Sequence, residues 1–319
     1  MSDVKEIDEV VIKARSDKSE SLNKMALLSA KTFTVEETNR YAGSINDPAR
    51  MVSSFAGVVG DAEGNNDIVV RGNSPRGILW RLEGVDIPNP NHFANNGSTG
   101  GPVNMLNGSM LANSDFFSGA FAPEYGNALS GVFDVKFRQG NNEKREYSFS
   151  AGVIGIDGSL EGPFKKGYRG SYLVNYRYSS IALLDGLGIL DYNGIPKYQD
   201  ASFNFKLPTK RFGNFSVVGL GVIFRIVQTD KHDSTNYIYS VFDFKANMGV
   251  VALKHEKIIN SKWYIKSFLS TSSASNGGDG TDKTLWINCI VQSVKNILKA
   301  TSNFSQSQTF NSTRKTPFK

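Results

Sequence analysis

From Glu146 onward apolar and polar residues alternate with a period of two, the spacing that sends successive side chains to opposite faces of a strand. In "GSYLVNYRYSS", Tyr172, Val174, Tyr176 and Tyr178 share one face, and Leu173, Asn175, Arg177 and Ser179 share the other. "ASFNFKL" sets Phe203, Phe205 and Leu207 against Ser202, Asn204 and Lys206. A turn at residues 208–213 leads into "NFSVVGLGVIF", and "MGVVALKHEKII" pairs through a turn at Asn260-Ser261 with "KWYIKSFLSTS". With "EYSFSAGVIGIDGSLEG" included, the pattern predicts about six strands of roughly ten residues, each with an apolar, aromatic face and a polar one. Two architectures satisfy it. One is a soluble β-sandwich whose apolar face is core; the other is a transmembrane barrel whose apolar face meets lipid.

Residues 1–138 mix helix and strand signals. Residues 10–14 and Ala30–Phe33 are short strand-like runs. Thr34 and Glu37 have capping-box spacing, which predicts a short helix to about Tyr41. Asp47-Pro48 supplies an N-cap and a proline at the first helical position, with Met51, Val52 and Phe55 on one face and Gly57 as the stop. Strands are expected at 67–71, 78–85, 115–121 and 131–137, and a further Pro-started helix in "GGPVNMLNGSML". Both periodicities lapse near the end. "LWINCIVQSVKNILKA" reads as helix or unpatterned and "TSNFSQSQTFNSTRKTPFK" as polar low complexity, so residues 276–319 are expected to be foreign to the fold, a shifted frame or a truncation scar.

Composition agrees with a β-rich chain: 31 Gly, 21 Phe and 12 Tyr in 319 residues suit turns, bulges and covered strand faces. Cys289, the single cysteine, excludes an internal disulfide framework and a multi-thiolate metal site. The net charge of +6 is spread along the chain without a compact stripe of cations and stacking aromatics, so no nucleic-acid partner is expected. No apolar run reaches the roughly 18–20 residues of a spanning helix. The acidic start "MSDVKEIDEVV" is unlike a signal peptide, so either the protein stays inside the cell or residues natural to its N-terminus are missing.

Reaction chemistry is thin. His92, His232 and His255 lie far apart without ligand spacing, so neither metal nor cofactor is expected. No nucleophile elbow, Walker loop or dinucleotide fingerprint is present. "NNGSTGGP" lacks the lysine of a phosphate loop and reads as a surface loop; "NGGDGTD" lacks the terminal Glu of a calcium loop and reads as a solvated turn. No enzyme is expected.

The order of the motifs is more specific. Phe55-Ala56-Gly57-Val58 precedes Ile68-Val69-Val70-Arg71-Gly72; Glu83-Gly84-Val85 closes the next strand, with Pro88 shortly after. Tyr125-Gly126 and Gly131-Val132 follow, and then Ser159 to Pro163. Over residues 7–275 this series resembles the plug domain and first barrel strands of TonB-dependent outer-membrane receptors. The resemblance implies an α+β plug domain followed by antiparallel transmembrane β-barrel strands, in an incomplete barrel. Its divisions would be a TonB-box-like segment (1–20), the plug (21–138), the first barrel strands (139–275) and the atypical tail (276–319). Such barrels need roughly 22 strands, more than the residues after Arg138 can form, so the chain is expected to be a fragment.

The implied function is energy-coupled uptake of a scarce nutrient (siderophore, cobalamin, peptide or glycan) through the Gram-negative outer membrane, with the plug facing the periplasm. Implied partners are TonB with its inner-membrane energising complex, outer-membrane lipid, the small nutrient ligand and a surface lipoprotein. The resemblance points to Asp8, Glu9, Val10, Val11 and Ile12 for TonB contact by strand addition, although these residues equally suit the plug's first strand. It assigns Arg71, with Glu161 as first partner, to a plug–barrel latch. It places Asn73, Ser74, Arg76, Asn89, Asn91, His92, Phe93 and Asn95 at ligand-facing tips. A plug-internal role for Arg71 stays open, as do two other functions: a non-transport outer-membrane protein (adhesin or assembly factor) and a soluble ligand-binding α+β protein.

Overall fold

The computed structural model describes residues 22–23, 29–34, 38, 40, 47–60, 66–92, 101, 103–152, 155–189, 193–231, 238–260, 263–282 and 297–299. The N-terminal module contains β1 (Ala30–Phe33), α1 (Pro48–Val52), β2 (Val58–Gly60), β3 (Ile68–Val70), β4 (Ile78–Leu82), β5 (Val85–Ile87), β6 (Asn91–His92), β7 (Val103–Asn104), β8 (Ser114–Phe117) and β9 (Gly131–Val135). Its main sheet has the order β1-β8-β9-β4-β5, with β4 and β9 parallel and the other pairs antiparallel. At its centre Trp80 stacks on Phe133, with centroids 3.9 Å apart, and Phe116 and Phe33 close around Phe133 at 4.7 and 6.3 Å. The helix forms where its cap predicts. The Asp47 carboxylate accepts from Ala49 N at 2.8 Å, Pro48 occupies the first turn, and Met51 and Val52 are buried.

Two short sequences redirect the chain in the same way. Arg71 and Gly72 have φ of +51° and +77°, and Asn73 N donates back to Val70 O at 2.9 Å. Glu83 and Gly84 have φ of +53° and +92° between the paired residues Leu82 and Val85. Positive φ at both central positions marks the two-residue hairpin turn whose twist matches its flanking strands. The strand expected over 78–85 is therefore the hairpin β4–β5. Glycine adopts such angles freely, whereas Arg71 and Glu83 each pay about 1 kcal/mol in steric strain. Each has a side chain with specific partners.

Other expectations are corrected. The Pro-started helix is replaced by β7 and a 3₁₀ turn at Gly108–Met110, which Asn107 caps by accepting from Ser109 N at 2.9 Å. Around Thr34, Thr38 N donates to Thr34 O at 3.1 Å, a helical turn; the capping partner Glu37 lies outside the described residues.

The second sheet is an antiparallel meander of β10 (Glu146–Ala151), β11 (Ile156–Pro163), β12 (Ser171–Tyr178), β13 (Pro196–Thr209), β14 (Gly213–Lys231), β15 (Ile238–Ile258), β16 (Tyr264–Asp282) and β17 (Ile297–Lys299). A short helix, α2 (Ser180–Gly186), joins β12 to β13. β13 to β16 have 14, 19, 21 and 19 residues, longer than the ten that alternation suggested. "NGGDGTD", expected as a turn, belongs to β16, so the boundary placed at 275/276 falls inside a strand. The glycines are covered rather than exposed: a Cβ at Gly278 would meet the Phe242 ring at 3.2 Å. Within the expected foreign tail, Ile297–Lys299 pairs with β16. β10 and β17 are the outer strands, and the sheet is not closed.

The two faces differ as the alternation requires. Leu173, Asn175, Asp200, Ser202 and Asn204 are buried against the N-terminal module, while Tyr176 is half exposed on the opposite face. In β14 and β15 the inner face turns apolar: Val218, Leu220, Val222, Met248, Val250 and Ala252 join the same core as Trp80 and Leu82. The N-terminal module is thus packed onto the inner face of the long sheet. Gly84 lies beneath Phe268 of β16, where a Cβ would be 3.6 Å from the ring.

Candidate functional site

The chemically richest surface is where the N-terminal module meets this wall. Arg71 does not reach Glu161. From its left-handed turn it lies exposed over Gly119, and its Nη2 donates to Ser29 Oγ at 3.2 Å and Ser118 Oγ at 3.3 Å. Glu161 is held instead by Arg138, which follows β9. Nη1 and Nη2 donate to the two carboxylate oxygens at 2.8 and 2.7 Å, and Asn141 N adds a third bond at 2.7 Å. Such a fork fits both oxygens of a carboxylate at once and ties the end of the module to β11. The resemblance assigned Arg71 to the latch, but the turn aims that side chain along its own module.

A second link joins the two structures through Glu83. Its backbone N donates to Val135 O at 2.8 Å and its Oε1 accepts from Phe137 N at 2.6 Å. Its Oε2 accepts from Lys254 Nζ on β15. Glu83 is buried and Lys254 largely so. Both carboxylate oxygens are thus partnered, so the strained turn is fixed by its own side chain.

The third link gathers residues that were expected at ligand-facing tips. Asn89, Asn91 and His92 are buried, not exposed. Asn89 Oδ1 accepts from Asn91 N at 2.9 Å, bending the chain into β6. His92 Nε2 lies 3.0 Å from Asp200 Oδ2 on β13, and the same oxygen accepts from Arg177 Nε and Nη2 at 2.9 and 2.7 Å. Arg177 also donates to Asn104 O at 2.6 Å. Wall residues therefore clamp both β6 and β7. Burial holds the His92 imidazole below its ordinary pKa, and the opposing pull of Asp200 does not overcome it.

Behind this clamp, Asp47 accepts from Asn104 Nδ2 at 2.8 Å and from Asn66 Nδ2, joining the helix cap to β7. Burial raises its pKa against those hydrogen bonds. A fourth polar seam runs from Asn107 Nδ2 to Asp157 and Asn175, at 3.2 and 3.1 Å, with Ser109 and Ser159 in contact beside it.

Asn73, Ser74 and Arg76 remain exposed together on the turn after β3, where Ser74 Oγ accepts from Arg76 N at 3.3 Å. Phe93 and Asn95, and Asp8, Glu9, Val10, Val11 and Ile12, lie outside the described residues. Among the described residues, no group of three or more His, Cys, Asp or Glu side chains is arranged to hold a metal ion. Arg177, Asp200, Lys254 and Arg138 were not singled out as site residues. One signal was readable: Asp200 shares strand parity with Ser202 and Asn204, which puts a carboxylate on the inner, polar face.

No protein-family model matches the chain, and no curated protein matches it. Among solved structures, the siderophore receptor PiuA from Acinetobacter baumannii is similar with a TM-score of 0.51 and 13% identity, over 82% of this chain and 40% of that one. A ferric enterobactin receptor from Pseudomonas aeruginosa gives 0.45 at 15% identity, over 78% and 41%. The siderophore receptor PirA from A. baumannii gives 0.43 at 15% identity, over 79% and 45%. The chain thus spans less than half the length of these three receptors. The PiuA likeness shows the fold: an α+β module packed on an unclosed antiparallel sheet, similar to the plug and part of the barrel wall of TonB-dependent receptors.

Proposed function

We propose that this chain forms the plug and first barrel strands of a TonB-dependent outer-membrane transporter, in which the plug gates uptake of a scarce nutrient. The observation that carries the reading is the combination of faces on one sheet. The inner face is saturated by buried ion pairs and apolar packing to the plug, while the outer face bears Tyr176, Ile223, Val251, Leu253 and Leu269 partly exposed. A soluble sandwich would bury that outer face against a second sheet; a barrel presents it to lipid.

In this reading the short connections at 164–170, 210–212 and 259–263 face the periplasm and the longer one at 179–195 faces outward. Asp8 to Ile12 would offer a β-branched segment for capture on the edge of a TonB sheet. Asn73, Ser74, Arg76, Phe93 and Asn95 remain the candidate ligand contacts, whereas Asn89, Asn91 and His92 are buried at β6. A ferric siderophore is the ligand class to test first, because the structural neighbours are named as receptors for such ligands. No bond-making step is needed.

The full-length protein should support siderophore-dependent growth under iron limitation only in cells that retain TonB. Excising residues 7–14 should leave ligand binding intact and abolish uptake. Undiminished uptake in cells without TonB would overturn the transport reading.

A further inference from the structure

The rim that carries the short connections also carries an unbalanced charge. The 164–170 turn holds Lys165, Lys166 and Arg169, the 210–212 turn holds Lys210 and Arg211, and neither contains a carboxylate. All five side chains are exposed, and none forms an ion pair among the described residues. The longer connection at the opposite rim, 179–195, contains two aspartates and no Lys or Arg. The turns form one surface. Tyr168 Oη donates to Pro208 O at 3.0 Å across the first two hairpins, and His255 Nε2 sits 2.5 Å from Phe212 O toward the third strand pair.

Directly beside these cations the outer sheet face becomes aromatic. Phe164 packs edge-on to Tyr172 and Phe205, with centroids 5.5 and 5.9 Å away, and Phe203 stacks on Phe205 at 4.9 Å. Phe212 and Trp263 are about 60% exposed at the same rim, and the Arg211 guanidinium lies over the Phe212 ring. A belt of aromatic rings bordered by cations is the chemistry of a membrane–water interface, where rings sit at headgroup depth and cations meet phosphate. A soluble acidic partner would account for the lysines but not for the adjoining exposed aromatics.

We propose that this rim binds the headgroups of anionic phospholipids in the adjacent leaflet, anchoring the barrel by its short turns. The proposal rests on the outer-membrane reading above. The test measures partition of the full-length protein, with its barrel closed, from urea onto phosphatidylcholine vesicles, with or without about a quarter phosphatidylglycerol. The wild type should prefer the anionic vesicles by at least about tenfold, and rising salt should erase the preference.

Replacing Lys165, Lys166, Arg169, Lys210 and Arg211 together by Gln should remove the preference while leaving partition onto pure phosphatidylcholine unchanged. Lys197→Gln with Lys245→Gln, on the other half of the sheet, should retain it. An unchanged preference in the five-site variant would overturn the proposal alone, as would its abolition by millimolar inorganic phosphate, which marks a small-anion site. Failure of the wild type to enter either vesicle would overturn the membrane reading and this inference with it.

Discussion

The Asp200 clamp is the sharpest test of how the N-terminal module is held. Asp200 and His92 are almost wholly buried, and the Arg177 side chain is 12% exposed. Asp200→Asn keeps the shape but removes the charge facing Arg177, whose two bonds to Oδ2 span 2.7–2.9 Å. Both converge on one oxygen, so they act as a single bifurcated charge-assisted interaction, worth about 2 kcal/mol. The guanidinium left behind keeps Asn104 O, the Tyr198 ring and at most a neutral amide oxygen, and adds a penalty of about 1–3 kcal/mol for a buried charge without a counter-ion. Asp200→Asn should therefore destabilise by about 3–5 kcal/mol.

Arg177→Met leaves the carboxylate with His92 and should cost a similar amount. Because each single variant strands a charge that the double variant does not, the double should be less destabilised than the sum, by about 2 kcal/mol. Urea titrations of vesicle-inserted protein followed by tryptophan fluorescence would measure all three. Additivity within about 0.5 kcal/mol would refute the coupling and with it the assignment of these residues as one unit.

His92 supplies a pH prediction. Its folded pKa lies below the ordinary value, so the unfolded chain binds more protons below about pH 6.5. The stability from its burial is fully present above that pH and falls as the pH drops; His92→Gln should flatten the dependence in pH-scanned urea melts. Glu83→Ala strands Lys254 and frees Phe137 N, Lys254→Met strands the Glu83 carboxylate, and each should cost about 3 kcal/mol; a double variant equal to their sum in urea melts would refute a specific pair. Gly84→Ala places a Cβ at φ +92° and should destabilise by about 1–2 kcal/mol in the same assay, whereas Gly84→Asn is milder. Trp80→Ala removes the ring stacked on Phe133 and should lower stability by about 3–5 kcal/mol, and a loss below 1 would place that core outside the cooperative unit.

Alternation alone separated the two faces of the long sheet. Tyr172, Val174 and Tyr176 fell on one side and Leu173, Asn175 and Arg177 on the other, and the structure keeps that division. The cap at Asp47-Pro48 was equally legible, because a capping side chain bonds to its own helix. Gly72 and Gly84 could be read as turn residues, since positive φ is a local demand. Local rules also misled. "NGGDGTD" looked like a turn by composition, yet Phe242 rings cover its glycines from the neighbouring strand.

What residue order could not supply was the partner across a contact. Period two says which face a side chain occupies, not what lies opposite it, and the ion pairs that hold the N-terminal module span 23 to 171 residues of sequence. Arg71 therefore kept its motif but lost its expected carboxylate, and Asn89, Asn91 and His92, expected at a tip, are buried against the long sheet. The scattered lysines became a rim only when successive hairpins brought their turns to one end of the sheet. Strand identity and facing were set by short-range sterics and hydrophobic period. The pairing of charges was set by tertiary packing, because only burial makes an unmatched ion costly enough to select its partner.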